Sequence, residues 1–147
     1  MSRQVDKGTR WETMCRDELA ARLGDERIHR KAHAGAHDTG DLGGIFAHGY
    51  EGVAECKWYK TYTRSDMLRW RAETLAERAN ANADFAVLLV HEPNKGLKRF
   101  AENTAWMTIN DLHKVAGIDA KTVWHGVGDM WVATTIGELC DMIVGVM

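Results

Sequence analysis

Phe85-Ala86-Val87-Leu88-Leu89-Val90 is a run without a single polar side chain. A run this short, apolar and rich in branched residues predicts a strand buried on both faces. The rest of the chain must then be arranged around an interior strand.

Upstream, residues about 9–23 predict a helix. At about 100° per residue, Cys15, Leu19 and Leu23 fall in one arc with Trp11. Glu12 falls in that arc too, although a carboxylate is rarely buried without a partner. Gly24 closes the helix, and residues 1–8 are polar and expected to be loose. Residues 26–33 predict a short basic strand, followed by a loop from Ala34 to Gly40. Asp41 heads a strand over Leu42–His48, Gly49–Gly52 a turn, and Val53–Trp58 its antiparallel partner. Ser65 is the expected N-cap of the next helix, with Asp66 in its first turn. Its apolar stripe is Leu68, Ala72, Leu75, Ala76 and Ala79, running to about residue 82. Glu92–Asn103 is expected as a surface loop turning at Pro93–Gly96.

The C-terminal third holds two similar strand-to-helix corners, Trp106–Leu112 and Trp131–Leu139. Thr135 and Glu138 have capping-box spacing, which Thr108 and Asp111 imitate. Trp106, Trp124 and Trp131 are expected in the C-terminal core. Ile143, Val144, Val146 and Met147 suit helix packing or a subunit interface. The order αβββαβ, with further strands and short helices, predicts an α/β fold with a mixed sheet. The 147 residues make one domain, 1–147.

The net charge of −2 excludes attraction of the whole molecule to a polyanion, but not local basic patches. No apolar run approaches membrane-spanning length and no signal-peptide core opens the chain. The expectation is no membrane partner and a cytoplasmic location, the host's cytoplasm if the source is viral. The three cysteines, Cys15, Cys56 and Cys140, predict reduced thiols rather than a disulfide or zinc pair. His29, His33 and His37 are spaced by four, as on a metal-binding helix face. The intervening Gly35 and the strand-like start argue against that helix.

The chemistry concentrates around Glu55-Cys56-Lys57-Trp58. Alternate strand residues share a face, so Glu55 and Lys57 point the same way. The predicted hairpin brings Asp41 towards them. Carboxylates that hold a divalent cation, beside a lysine, are a minimal kit for phosphodiester hydrolysis. Basic residues surround the set: Arg27, Arg30 and Lys31 before it, Lys60 and Arg64 after it, then Arg69 and Arg71. Trp58, Tyr59 and Tyr62 are interleaved, which suits a nucleic-acid surface. The plain alternative is a solvated Glu–Lys pair on an edge strand.

Taken in order, Glu12, Asp41, Glu55 and Lys57 resemble the PD-(D/E)xK nuclease superfamily, and within it the archaeal-type Holliday junction resolvases. Lys7-Gly8-Thr9-Arg10-Trp11-Glu12 resembles the family's opening Lys-Gly-x-x-x-Glu helix. The likeness covers about residues 7–91 with support to 115, leaving 116–147 as an elaboration of the same domain. It implies a restriction-endonuclease-like core with Glu12, Asp41, Glu55 and Lys57 catalytic. Asp41 and Glu55, with Glu12, would bind Mg²⁺, for which Mn²⁺ would substitute. Lys57 would orient the attacking water or stabilise charge on the phosphate, giving 5′-phosphate and 3′-hydroxyl ends. The implied assembly is a homodimer nicking a four-way DNA junction symmetrically. DNA contacts would fall to Arg10, Arg30, Lys31, His33, Thr39, Lys60 and Arg64.

The chain departs from the family in two places. Gly40 stands where the motif has proline, and His33-Ala34-Gly35-Ala36-His37 stands where the loop offers a serine near a glycine. Asp38 and Asp41 both suit the metal position, and Asp41 is preferred for its place at a strand start. Two other readings remain: a nuclease of this superfamily acting on other DNA in repair, recombination or restriction, and a non-catalytic DNA-binding module.

Overall fold

The computed structural model describes residues 3–32, 35–119 and 126–146. In these, helices α1 (Arg3–Leu23), α2 (Arg64–Asn80), α3 (Ile109–Ala116) and α4 (Ile136–Val144) flank a sheet. Its strands are β1 (His29–Arg30), β2 (Leu42–Ala47), β3 (Tyr50–Lys57), β4 (Phe85–Val90), β5 (Thr104–Thr108) and β6 (Trp131–Thr135). They lie in sequence order, β3 and β4 parallel and every other neighbouring pair antiparallel. The protein is therefore α/β with a six-stranded mixed sheet flanked by helices.

The run Phe85–Val90 is the interior strand β4, buried along its whole length. Phe85, Val87 and Leu89 join a large core with Trp11, Cys15 and Leu19 of α1, Val115 of α3 and Ile136 and Leu139 of α4. Leu88 and Val90 face the other way, onto Met67 and Trp70 of α2. Trp11 is fully buried, and its indole N–H donates to the Leu89 carbonyl at 3.1 Å, so the ring is buried without an unmet donor. A ring of this size contributes roughly 2–3 kcal/mol. Beside it, β3 approaches β4 through Gly52, where a Cβ would stand 2.1 Å from the Phe85 ring.

Several boundaries differ from the sequence expectation, each for a physical reason. Helix α1 begins at Arg3, so residues 3–8 are helical rather than loose. Gln4 holds this polar first turn by donating its amide N–H to the Trp58 carbonyl at 2.6 Å. The basic strand shrinks to His29–Arg30 because Asp25 accepts from the backbone and guanidinium of Arg27 and folds 25–27 into a turn. The hairpin turns at His48-Gly49, with φ of 50° and 88°, instead of over 49–52. Two consecutive left-handed residues match the twist of the strands they join.

The largest correction concerns α2. Its N-cap is Thr63, not Ser65, in a reciprocal capping box with Asp66. Its buried residues are Met67, Trp70, Thr74 and Glu77, whereas Leu68, Ala72, Ala76 and Ala79 are exposed. The helix has turned its alanine row outward. One indole removes far more apolar area from water than several methyl groups, so Trp70 sets the rotation.

The segment 92–103 is not all surface. It contains a 3₁₀ turn over Leu97–Glu102 that plugs fully buried Phe100 against Trp11. Both C-terminal corners form as expected. Thr108 caps α3, Thr135 and Glu138 close a capping box on α4, and Gly117 and Gly145 end the two helices at positive φ. Trp106 and Trp131 are half-buried, with the Arg71 guanidinium over both rings, rather than in the main core. Ile143 packs on the core while Val144 and Val146 are exposed, and Trp124 and Met147 lie outside the described residues. The three cysteines are buried and free. No helix among the described residues is long and apolar enough to cross a membrane.

Candidate active site

The site exists because β2 stops pairing with β3 too early. Their last pair at this end is Leu42 with Ala54, yet β3 continues to Lys57 against β4 on its other side. One edge of Glu55-Cys56-Lys57 is thereby left open. Asp41 fills the first vacancy as its N–H donates to the Ala54 carbonyl at 2.9 Å and its Oδ2 accepts from the Cys56 N–H at 2.8 Å. Gly40 delivers Asp41 to this place with φ of 104°. A proline is locked near −65°, so the missing proline is a consequence of the backbone path.

A cleft of about 600 Å³ opens there, lined by Glu12, Asp38, Asp41, Glu55, Lys57 and Glu77 among others. Glu55 and Lys57 share the face of β3 that looks towards α2. Glu12 enters from α1, is 6% exposed and lies 3.8 Å from the Arg30 guanidinium. The carboxylate in the apolar arc of the first helix is therefore a cleft residue. Asp38 and Asp41 both line the cavity. Asp38 is half-buried and accepts from the Gly40 N–H at 3.0 Å, whereas Asp41 is buried against β3.

Two residues that the sequence reading missed complete the cluster. Glu73 and Glu77 project from α2, one turn apart. Glu73 Oε2 binds Lys57 Nζ at 2.9 Å, while Glu55 Oε1 is 4.0 Å from the same nitrogen. Burial works against charge on Lys57, but Glu55 and Glu73 outweigh it and raise the ammonium's pKa. Glu77 is 6% exposed, and its Oε2 is buried with no hydrogen-bond partner among the described residues. Glu55 is pushed far above the carboxylate range by burial and by Asp41 and Glu77 beside it. Glu77 rises as well, through burial and the charges of Asp41 and Asp38, against the hydrogen bond from Glu55. Burial first, and then the neighbouring carboxylates, favour the protonated forms of Glu55 and Glu77. The spacing Met67, Trp70, Thr74, Glu77 was the available signal, a helical arc anchored on tryptophan.

The expected DNA-contacting residues divide. Arg10 does not line the cleft, but its guanidinium lies 5.2 Å over the ring of Trp58, which does, and Lys7 sits over the same ring at 5.7 Å. The other side of Trp58 stacks on His91 at 4.1 Å, and His91 meets Trp11 edge-on. This column holds two cations over Trp58. Lys60 and Arg64 are exposed on the loop and first turn that follow β3. Arg30 is tied to Glu12, half-buried Lys31 bonds through its backbone N–H to the Asp41 carbonyl, and Thr39 does not line the cleft. His33 lies outside the described residues. Arg27 and Arg69 pair with Asp25 and Asp66, and Arg71 lies against the two tryptophans, so these cations are committed elsewhere. His29 is on a strand and His37 in a 3₁₀ turn, not on one helix face.

Among the described residues, no group of three or more His, Cys, Asp or Glu side chains is placed to hold a metal ion. The carboxylates close on one another instead. In chemical type the donor set still fits a hard divalent cation, because it is all oxygen and Glu77 brings a buried oxygen with no hydrogen-bond partner among the described residues. Compared with known proteins, the chain matches no family model, no curated sequence and no solved structure.

Proposed function

We propose that the protein is a Mg²⁺-dependent endonuclease of the PD-(D/E)xK type, with a restriction-endonuclease-like core, that resolves four-way DNA junctions as a homodimer. The observation that carries this reading is the convergence of Asp41, Glu55, Lys57 and Glu12 on the open edge of β3. Asp41, Glu55 and Glu77 would hold the cation, with Glu12 as a further acidic member, and Mn²⁺ would substitute for Mg²⁺. When bound, the metal acidifies water and offsets charge that develops on the phosphodiester.

The side chains divide the remaining work. Lys57, held charged by Glu55 and Glu73, orients the attacking water or stabilises the phosphate oxygens, and the product ends are 5′-phosphate and 3′-hydroxyl. Arg10 and Lys7 grip backbone phosphates over Trp58, while Lys60 and Arg64 do so beyond Lys57. A junction needs a nick on each of two opposed strands, and a two-fold dimer supplies two such sites.

A synthetic four-way junction and a matched duplex, each incubated with the protein in Mg²⁺, provide the test. Paired symmetric nicks confined to the junction are expected. Equal cutting of both DNAs would point to a nuclease for other substrates. Junction binding without any cut would leave a DNA-binding module.

A further inference from the structure

The loop after Lys57 carries aromatic rings that phosphodiester chemistry does not require. Tyr59 stacks on Trp70 with centroids 5.3 Å apart and planes at 27°. Tyr62 leans on the same indole at 5.1 Å and 52°, and its hydroxyl donates to Glu92 Oε1 at 3.3 Å. Trp70 is 2% exposed and fixed in the small core with Met67, Leu88 and Val90. The tyrosines are thus supported from beneath by a rigid element, yet remain 39% and 36% exposed. Trp58 is different, since His91 stacks on it and Lys7 and Arg10 lie over its ring.

Position gives the exposed rings a purpose. Tyr59 lines the same cleft as Asp41, Glu55 and Lys57. Lys60 and Arg64, on either side of Tyr62 in sequence, are exposed and make no ion pair among the described residues. Pre-oriented aromatic faces between unpaired cations complement a strand whose phosphates meet the cations and whose base meets a ring. A continuous duplex cannot offer that base, because its bases are stacked inside.

We infer that Tyr59, supported by Trp70 and assisted by Tyr62, receives an unstacked base next to the phosphate that is cut. The inference rests on the nuclease reading and narrows its substrate to DNA with an unstacked nucleotide at the cleavage point. A bulge presents one, a junction does so where its arms part and stacking breaks, and uninterrupted duplex does not.

The test is binding in Ca²⁺, with a duplex carrying 2-aminopurine as a bulged nucleotide and a fully paired control. The wild-type protein should quench the bulged probe. Tyr59→Ala should abolish the quench and weaken binding of the bulged DNA about tenfold, a typical loss for one stacked base, with the paired control unchanged. Tyr59→Phe should behave as wild type. Tyr59→Leu keeps apolar contact with Trp70 without a π face and should behave as alanine, which separates stacking from loop collapse. An unaltered quench in Tyr59→Leu, or equal weakening on both DNAs, would overturn the inference while leaving the nuclease reading in place. Wild-type protein that binds neither DNA would overturn the inference, and the junction-cleavage assay decides the nuclease reading separately.

Discussion

Asp41→Asn is expected to slow DNA cleavage by roughly a thousandfold or more while junction binding persists. A bound metal supplies several kcal/mol of transition-state stabilisation, and about 4 kcal/mol corresponds to a thousandfold in rate. Asparagine removes the anionic ligand but keeps an oxygen in place. That oxygen continues to accept from the Cys56 N–H, the bond Asp41 Oδ2 makes at 2.8 Å, so the open edge of β3 stays satisfied. Lys57→Ala should silence cleavage similarly through a different loss, since the phosphate then lacks the ammonium held between Glu55 and Glu73. Single-turnover cleavage beside a gel-shift titration separates the two quantities. If both variants lose binding as much as cutting, the residues support the fold or the DNA contact and not the chemistry.

A second large effect is expected in stability against pH. Without metal, the protein should become less stable as pH rises from about 5 to about 9. In the unfolded chain Glu55 and Glu77 ionise near their ordinary value of 4.5, whereas in the folded cleft both are raised. Above that value the folded state therefore holds protons the unfolded state has released. Each such proton lowers stability by about 1.4 kcal/mol per pH unit until the folded group ionises. The contribution is complete in acid and is lost progressively through neutrality, the reverse of a salt-bridged carboxylate. Mg²⁺ should oppose the loss, since a ligand at a hundred times its Kd stabilises by about 2.7 kcal/mol. Thermal melts at several pH values, with and without Mg²⁺, measure both trends. Glu77→Gln should flatten the metal-free curve and reduce the Mg²⁺ shift. A wild-type curve that rises across the same interval would show that these carboxylates ionise freely.

Much of the cleft was legible in the sequence. Glu12 announced itself as a carboxylate at an apolar helical position, and burial on α1 against Arg30 accounts for it. Asp41 was legible as the head of a strand and Glu55-x-Lys57 as the alternating end of its partner, because strand period and hairpin order are local properties. The two strand-to-helix corners followed from Thr135–Glu138 and Thr108–Asp111 spacing for the same reason. The rotation of α2 was not legible in this way. Counting apolar positions favoured the Leu68–Ala79 row, while the indole of Trp70 decides the packing and turns Glu73 and Glu77 into the cleft. The start of α1 and the brevity of β1 depend on single side-chain contacts, Gln4 to Trp58 and Arg27 to Asp25, which no periodicity records. Local pattern thus located the strand-borne half of the site, and tertiary packing placed the helix-borne half.

The central claim is that these carboxylates form one divalent-cation site on the open edge of β3. Crystals of the wild-type protein soaked in Mn²⁺ test it most directly, through the anomalous signal of the metal. The predicted result is an anomalous peak in the cleft bonded to Asp41 and Glu55, with Glu77 turned onto it, and no such peak in Asp41→Asn crystals treated alike. Soaked wild-type crystals that bind Mn²⁺ elsewhere, or show no metal between Asp41, Glu55 and Glu77, would contradict the account.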